Sequence, residues 1–340
     1  MAGMELNHKQ NRRTLGRSGI EVSALGMGCW AIGGPLAGGG SEFGWGEVDD
    51  AESVRAVHLA LENGVTFFDT SSNYGAGHSE VVLASALRGR RDEVVIASKW
   101  GYTFDEASRT AVGADASANY LVDCLEGSLR RLETEYVDLY QLHLNDLPID
   151  QALDLVPTLE QLVAEGKIRA YGWSTDDADR ASAFAAAGEH CATAQFDMSA
   201  LRDAPAMIAA CADASLAGIV RGPLAMGLLS GKYHDGRSVG DRDVRAQGHE
   251  WVTYFRDGRG APEWLAAIDS VRDVLTSDGR TLLQGALAWI WARSQDTIPI
   301  PGFRNERQVA EIVGALKFGA LDAEQFAAVE KELASVRAAV

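Results

Sequence analysis

Cysteine is scarce and scattered in this chain. Cys29, Cys124, Cys191 and Cys211 form no CxxC pair and no Cys/His cluster, so no metal site or disulfide framework is expected. That usage fits a reducing compartment. No apolar run approaches the roughly 20 residues needed to cross a bilayer. Met1 to Arg13 is polar and lacks an apolar centre, so it does not read as a signal peptide. A cytoplasmic protein is expected. Positive charge is also short: 31 Lys and Arg stand against 48 Asp and Glu, a net of −17. Nucleic acid and anionic membrane are therefore not expected partners. No GxGxxG follows a strand, so the Rossmann fingerprint is missing.

What the 340 residues do contain is 46% hydrophobic content, ample for one large core, and a repeating rhythm. Residues 1–11 read as a flexible leader and 12–340 as a single domain. Residues 13–15 and 21–23 flank Gly-Arg-Ser-Gly, a hairpin signal. Short apolar runs at 24–29, 66–69, 94–98, 137–142, 168–173, 192–196, 219–220 and 297–298 then read as strands. Helical patterns at 50–63, 79–87, 118–132, 150–165, 178–187 and 204–214 separate them. Helices over 263–276 and 281–293 form an insert before the last strand, and two more follow it, one opening near Asn305 and one over 322–337. Residues 100–116 read as a loop. The long Gly-, Asp- and Arg-rich stretch 224–262 breaks the rhythm, as functional or mobile loops do. About eight short apolar strands, nearly all followed by helices, predict an α/β fold with parallel strands covered on both sides. Without a dinucleotide fingerprint, a (β/α)8 barrel with an N-terminal β-hairpin and extra helices is favoured over a doubly wound sheet.

Polar residues end the second, third and fourth strands. Asp69 ends the second and Tyr74 lies in the loop after it; Lys99 ends the third; His143 ends the fourth. Singly these read as a cap, a solvated lysine and a core histidine. In a parallel barrel such ends meet at one mouth. A phenol titrates near pH ~10, and a nearby ammonium is expected to lower that value. A carboxylate beside the lysine keeps it charged, and a histidine orients a carbonyl or assists proton transfer. The set suits Tyr74 to protonating a carbonyl oxygen as hydride reaches the carbon.

The segments Phe68-Asp69-Thr70-Ser71-Ser72-Asn73-Tyr74-Gly75, Gly77-His78-Ser79-Glu80, Ala97-Ser98-Lys99, Tyr140-Gln141-Leu142-His143 and Ile300-Pro301-Gly302 resemble the aldo-keto reductase family, from about Thr14 to Val336. The shorter-loop bacterial branch, which resembles potassium-channel β-subunits, is the nearest in pattern. The resemblance implies a (β/α)8 barrel that binds NADPH or NADP+ extended, without a Rossmann unit. Asp69, Tyr74, Lys99 and His143 match the catalytic positions. Ser174 and Gln195 match those that hold the nicotinamide carboxamide, although Thr175 stands where Asn is common. The loop carrying Gly222, Pro223, Leu224, Gly227, Leu228, Ser230 and Lys232 matches the pyrophosphate site. Arg221 stands where many relatives carry a stacking aromatic, and either stacking or a phosphate contact is open to it. Gly302, Arg304, Gln308 and Glu311 match the adenosine and 2′-phosphate region, with Ile312 where Asn is frequent.

Trp30, Trp45 and Trp100, with Trp251, Tyr254 and Phe255, are expected to line an apolar or ring-bearing substrate site. Residues 241–243 are expected to help fold the long loop over the cofactor. The expected partner is a small-molecule carbonyl: an aldehyde, ketone or keto sugar. A homo-oligomer is compatible with the sequence. The rival reading is an NADPH-binding sensor with little turnover. A barrel of other chemistry would need a metal cluster or paired carboxylates, and the sequence shows neither.

Overall fold

Period-two alternation along eight short strands decides what faces the centre of this molecule, whose computed structural model describes residues 11–338. The strands are β1 (Gly26–Gly28), β2 (Phe67–Asp69), β3 (Val95–Trp100), β4 (Val137–Leu142), β5 (Ile168–Ser174), β6 (Cys191–Asp197), β7 (Ala217–Arg221) and β8 (Thr297–Pro299). Each pairs in parallel with the next in chain order. Gly28 bridges to Gly302 and donates its N–H to Pro301 O at 3.0 Å, which closes the ring from β1 to the segment after β8. The expected (β/α)8 barrel is therefore present.

Phe67, Val95, Ala97, Leu139, Ala170, Ala192, Ala217, Ile219 and Ile298 fill the interior as one buried cluster. Their neighbours Phe68, Ile96, Tyr140, Tyr171 and Val220 point outward into a second cluster under the helices. Side chains two apart share a face, so the interior series continues toward the carboxyl ends of the strands. It reaches Asp69 from Phe67, Lys99 from Ala97, Gln141 and then His143 from Leu139, Gln195 from Ala192 with one irregular step, and Arg221 from Ile219. At the opposite end the hairpin of Arg12–Thr14 and Glu21–Ser23 plugs the barrel with Leu15, Ile20 and Val22.

The outer helices begin where the sequence places caps. Asp49 accepts from Glu52 N–H ahead of Asp50–Glu62, and Asn305 accepts from Gln308 N–H ahead of Glu306–Gly314. Two elements differ from expectation. Residues 150–165 are two helices, Ile149–Leu153 and Val156–Ala164, because Pro157 has no N–H to continue the first. The stretch read as a loop holds a hairpin, Tyr102–Asp105 with Thr110–Ala114. Its second strand pairs with Ala37–Gly38, which pairs in turn with Ser41–Glu42, to make a small sheet beside the mouth. The long stretch after β7 carries a short ribbon, Phe255–Arg256 with Arg259–Gly260. Of the leader, residues 1–10 lie outside the described residues. Among the described residues no helix is long and apolar enough to cross a membrane.

Candidate active site

Asp69 and Lys99 are buried and face each other, with Lys99 Nζ 2.5 Å from Asp69 Oδ1. Lys99 also donates to Thr70 O at 2.7 Å and to the Tyr74 hydroxyl at 3.2 Å. Asp69 Oδ2 accepts from Gln141 at 3.1 Å and from Gln195 at 2.8 Å. The carboxylate thus has donors on both oxygens, and the ammonium has three acceptors. That satisfaction is what allows an ion pair to sit in a barrel interior. The Tyr74 and His143 rings meet edge to face, centroids 5.8 Å apart. His143 Nδ1 lies 3.1 Å from Ser71 Oγ. The four residues expected at one mouth are together.

Their protonation follows from the surroundings. Burial raises the Tyr74 phenol above its ordinary value, and this outweighs the lowering by the charge of Lys99. The sequence led to the opposite net direction, because it shows the cation and not the dry setting. Burial works against the Lys99 ammonium, but Asp69 and Tyr74 overcome it and its pKa is raised. Burial, then the charges of Lys99 and Arg221, hold the His143 imidazole well below its ordinary value. At neutral pH the site is therefore a protonated phenol, a cationic lysine and a neutral imidazole.

The residues expected to hold a cofactor line the far side of the mouth. Ser174 and Gln195 are adjacent in register on β5 and β6 and are buried. Because Gln195 spends an N–H on Asp69, its carbonyl oxygen is left to accept from a carboxamide. The Thr175 hydroxyl donates to Asn145 O at 2.9 Å, so it is used within the protein. Arg221 donates from Nη2 to Asp176 Oδ2 at 2.6 Å. Beyond it the backbone is left-handed at Gly222 (φ 64°) and Gly227 (φ 90°). A Cβ at Gly222 would lie 2.3 Å from Asp197 Oδ1. Pro223, Leu224 and Leu228 turn their side chains inward and are buried, so this loop can offer its backbone. Ser230 Oγ donates to Gly227 O at 2.6 Å.

Lys232 and Arg304 carry the clearest sign of an anion site. Burial and then Arg307, against the relief from Glu311, lower the Lys232 pKa, with Arg245 and Arg304 adding to it. Burial also lowers Arg304, where Asp243 opposes and Arg245 assists. Cations whose charge is disfavoured chiefly by burial are relieved by a bound anion, so the donor set fits a phosphate-bearing cofactor. Gln308 accepts from Arg304 N–H at 2.7 Å, and Arg304 Nη2 donates to Glu47 O. Glu311 is half-buried near Lys232, Gly302 is exposed, and Ile312 is packed in the core rather than turned to the mouth.

The aromatic residues divide into two groups. Trp30 stacks on Tyr74 at 5.9 Å, meets Trp45 edge-on at 5.2 Å and lies 6.2 Å from Trp251. These form a wall beside the phenol. Trp100 has no exposed surface and stacks on Tyr140 at 4.7 Å, and Tyr254 and Phe255 are buried against Trp264 and Tyr233. The expectation that Trp100, Tyr254 and Phe255 face substrate does not match this packing.

Several residues at the site were given no role from sequence. Gln141 holds Asp69; an amide inside an apolar strand, two before His143, was its signal. Tyr102 sits 5.2 Å from His143 at the rim. Arg245 makes a two-point ion pair with Asp243 at 2.8 and 2.7 Å and lies 4.6 Å over the Trp45 ring. It ties the long segment to the loop before the first outer helix, where Val244 N–H also donates to Gly44 O at 2.9 Å. Nothing in the local sequence marks that long-range pairing.

Known proteins share this fold and sequence pattern. The model of the "Aldo/keto reductase family" matches residues 24–334. The chain is 29% identical over 306 residues to aldo-keto reductase YhdN of Bacillus subtilis, covering 87% of each. Among solved structures, glycerol dehydrogenase AKR11B4 from Gluconobacter oxydans is 27% identical with a TM-score of 0.79, covering 96% of both chains. An aldo/keto reductase from Klebsiella pneumoniae in complex with NADP and acetate is 25% identical with a TM-score of 0.67, covering 94% of both. A family match across almost the whole chain, on a barrel whose mouth gathers Asp69, Tyr74, Lys99 and His143, means that this chain belongs to the aldo/keto reductase family of oxidoreductases.

Proposed function

We propose that the chain reduces a small aldehyde, ketone or keto sugar to the alcohol with NADPH, Tyr74 being the proton donor. The observation that carries this is the bonded series from Asp69 to Lys99 to the Tyr74 hydroxyl, at 2.5 and 3.2 Å. When bound, NADPH supplies the hydride. Ser174 and Gln195 would hold its carboxamide end, the backbone after Arg221 would meet the pyrophosphate, and Lys232 and Arg304 would answer the 2′-phosphate. His143, neutral, hydrogen-bonds the carbonyl and fixes its orientation. Tyr74 gives its proton to the carbonyl oxygen, and the adjacent Lys99 ammonium stabilises the phenolate that remains. Asp69 keeps Lys99 charged. A phenol raised above its ordinary pKa by burial holds its proton at neutral pH, which suits a donor and therefore the reductive direction. Relatives of known structure point the same way: one contains NADP and another NADPH.

The test is consumption of NADPH, followed by its near-ultraviolet absorbance, with a panel of aldehydes, ketones and keto sugars. Tyr74→Phe is expected to lower kcat by about 10²–10⁴-fold, the usual worth of a positioned acid, with the NADPH dissociation constant unchanged. Full activity in Tyr74→Phe would remove the assigned acid.

A further inference from the structure

The cation at the end of β7 has no assigned task in proton transfer, yet it lies where the reaction takes place. Ala217, Ile219 and Arg221 share the inward face of β7. Arg221 is paired in register with Asp197 of β6, and its Nη2 reaches across to Asp176 Oδ2, beyond β5, at 2.6 Å. Asp176 is fixed in turn, since its Oδ1 accepts from Asp197 N–H at 2.8 Å. The guanidinium is thus drawn across the end of β6 toward the segment that follows Ser174 at the end of β5. That is the only hydrogen bond it makes among the described residues. Its charge is felt at Tyr74, His143 and Tyr102, groups contributed by the other half of the mouth. A flat ring held by Ser174 and Gln195, with its reacting carbon next to the Tyr74 hydroxyl, has to lie within this field.

We propose that Arg221 sets the preference of this site for the reduced over the oxidised cofactor, by placing a fixed positive charge against the nicotinamide position. The inference rests on the functional reading above. The nicotinamide ring is a cation in NADP+ and neutral in NADPH, while the phosphates are the same in both. A charge that acted on the phosphates would shift both dissociation constants together. A charge against the ring weakens NADP+ alone. Asp176 moderates the effect by neutralising part of the guanidinium charge. For turnover the consequence is that the oxidised cofactor leaves readily and competes poorly with NADPH. An aromatic residue, the common occupant of this position in the resembled family, would attract the cationic ring instead.

Dissociation constants for NADPH and NADP+ are to be measured by fluorescence titration at one fixed salt concentration, so that activity is not the readout. In Arg221→Gln the ratio of the NADP+ to the NADPH constant is expected to fall about tenfold, equivalent to about 1.4 kcal/mol. Arg221→Lys, which keeps the charge, is expected to retain most of the ratio. Asp176→Asn is expected to raise it, a change of opposite sign that a merely structural role does not give. Equal weakening of both forms in Arg221→Gln, or no change in either, would overturn the proposal and leave a phosphate contact or a packing role. Failure of the wild-type protein to bind either form would instead overturn the cofactor reading itself.

Discussion

Gln195 on β6 donates its side-chain N–H to Asp69 on β2 at 2.8 Å, across the barrel interior. With Gln141 on the same oxygen and Lys99 on the other, the carboxylate is tied to three strands besides its own. Asp69 is thus a strut of the barrel as much as a partner of Lys99.

Removing its charge should be costly. In Asp69→Asn the Lys99 ammonium stays buried with no counter-ion, a change that costs about 3–5 kcal/mol where measured. A lower urea midpoint at neutral pH is expected. The double variant Asp69→Asn with Lys99→Met removes the unpaired charge and should recover part of the loss. If the single variant unfolds at the wild-type midpoint, the pair is not the buried ion pair described here.

Much of this was readable from the chain because side chains two apart on a strand share a face, with β6 the one irregular case described above. Once Phe67 and Ala97 are interior, Asp69 and Lys99 must be too, so the meeting of that pair needed only the barrel. Three features were hidden for physical reasons. The hairpin of Tyr102–Asp105 and Thr110–Ala114 buries none of its residues, and its partner strand lies about 70 residues upstream in the chain. The pair Asp243–Arg245 gains its meaning from Trp45, which only the folded chain brings near. The direction of the Tyr74 shift depends on burial outweighing Lys99, a balance of two opposing effects that a list of residues does not weigh.

The depressed His143 pKa gives acid sensitivity of known sign. An unfolded histidine takes up a proton near pH ~6.5, while the folded one resists until well below that. Below this value the unfolded state binds the extra proton, so stability contributed by neutral His143 is present above about pH 6.5 and lost as pH falls toward the folded value. The slope is about 1.36 kcal/mol per pH unit for one group. His143→Gln should flatten the decline of melting temperature over this range relative to wild type. Parallel curves for the two proteins would contradict a buried, neutral imidazole.

Gly75 fixes where the phenol sits. Its φ is 59°, and a Cβ there would lie 1.9 Å from Gly33 O. Gly75→Ala must therefore pay the left-handed backbone cost and also push the two loops apart. A stability loss of about 1–3 kcal/mol with a fall in kcat is expected, since Tyr74 is the preceding residue. Gly64 is the control: its φ is 82° and nothing lies within 4 Å of its Cβ position. Gly64→Ala should lose only the backbone term, about 1–2 kcal/mol, with kcat intact. Equal kcat in the two variants would show that the Gly33–Gly75 contact does not position the acid.

Trp30 is the aromatic residue best placed to choose the substrate. Its ring is stacked on Tyr74 at 24° and braced edge-on by Trp45, so it stands beside the phenol proposed to deliver the proton. Trp251, at the outer edge of this wall, lies 6.2 Å from Trp30, stacks on His249 at 5.2 Å and is 52% exposed. A ring-bearing carbonyl that packs on Trp30 loses that surface in Trp30→Ala, whereas a two- or three-carbon aldehyde has little surface to lose. The expected result is a KM raised about tenfold for the ring-bearing carbonyl, equivalent to about 1.4 kcal/mol, with little change for the short aldehyde. Trp251→Ala should give the smaller shift because solvent already wets its ring and part of its burial is absent to begin with. If the two substrates lose KM equally in Trp30→Ala, the residue acts on the placement of Tyr74 and not on the substrate, and kcat should then fall with both.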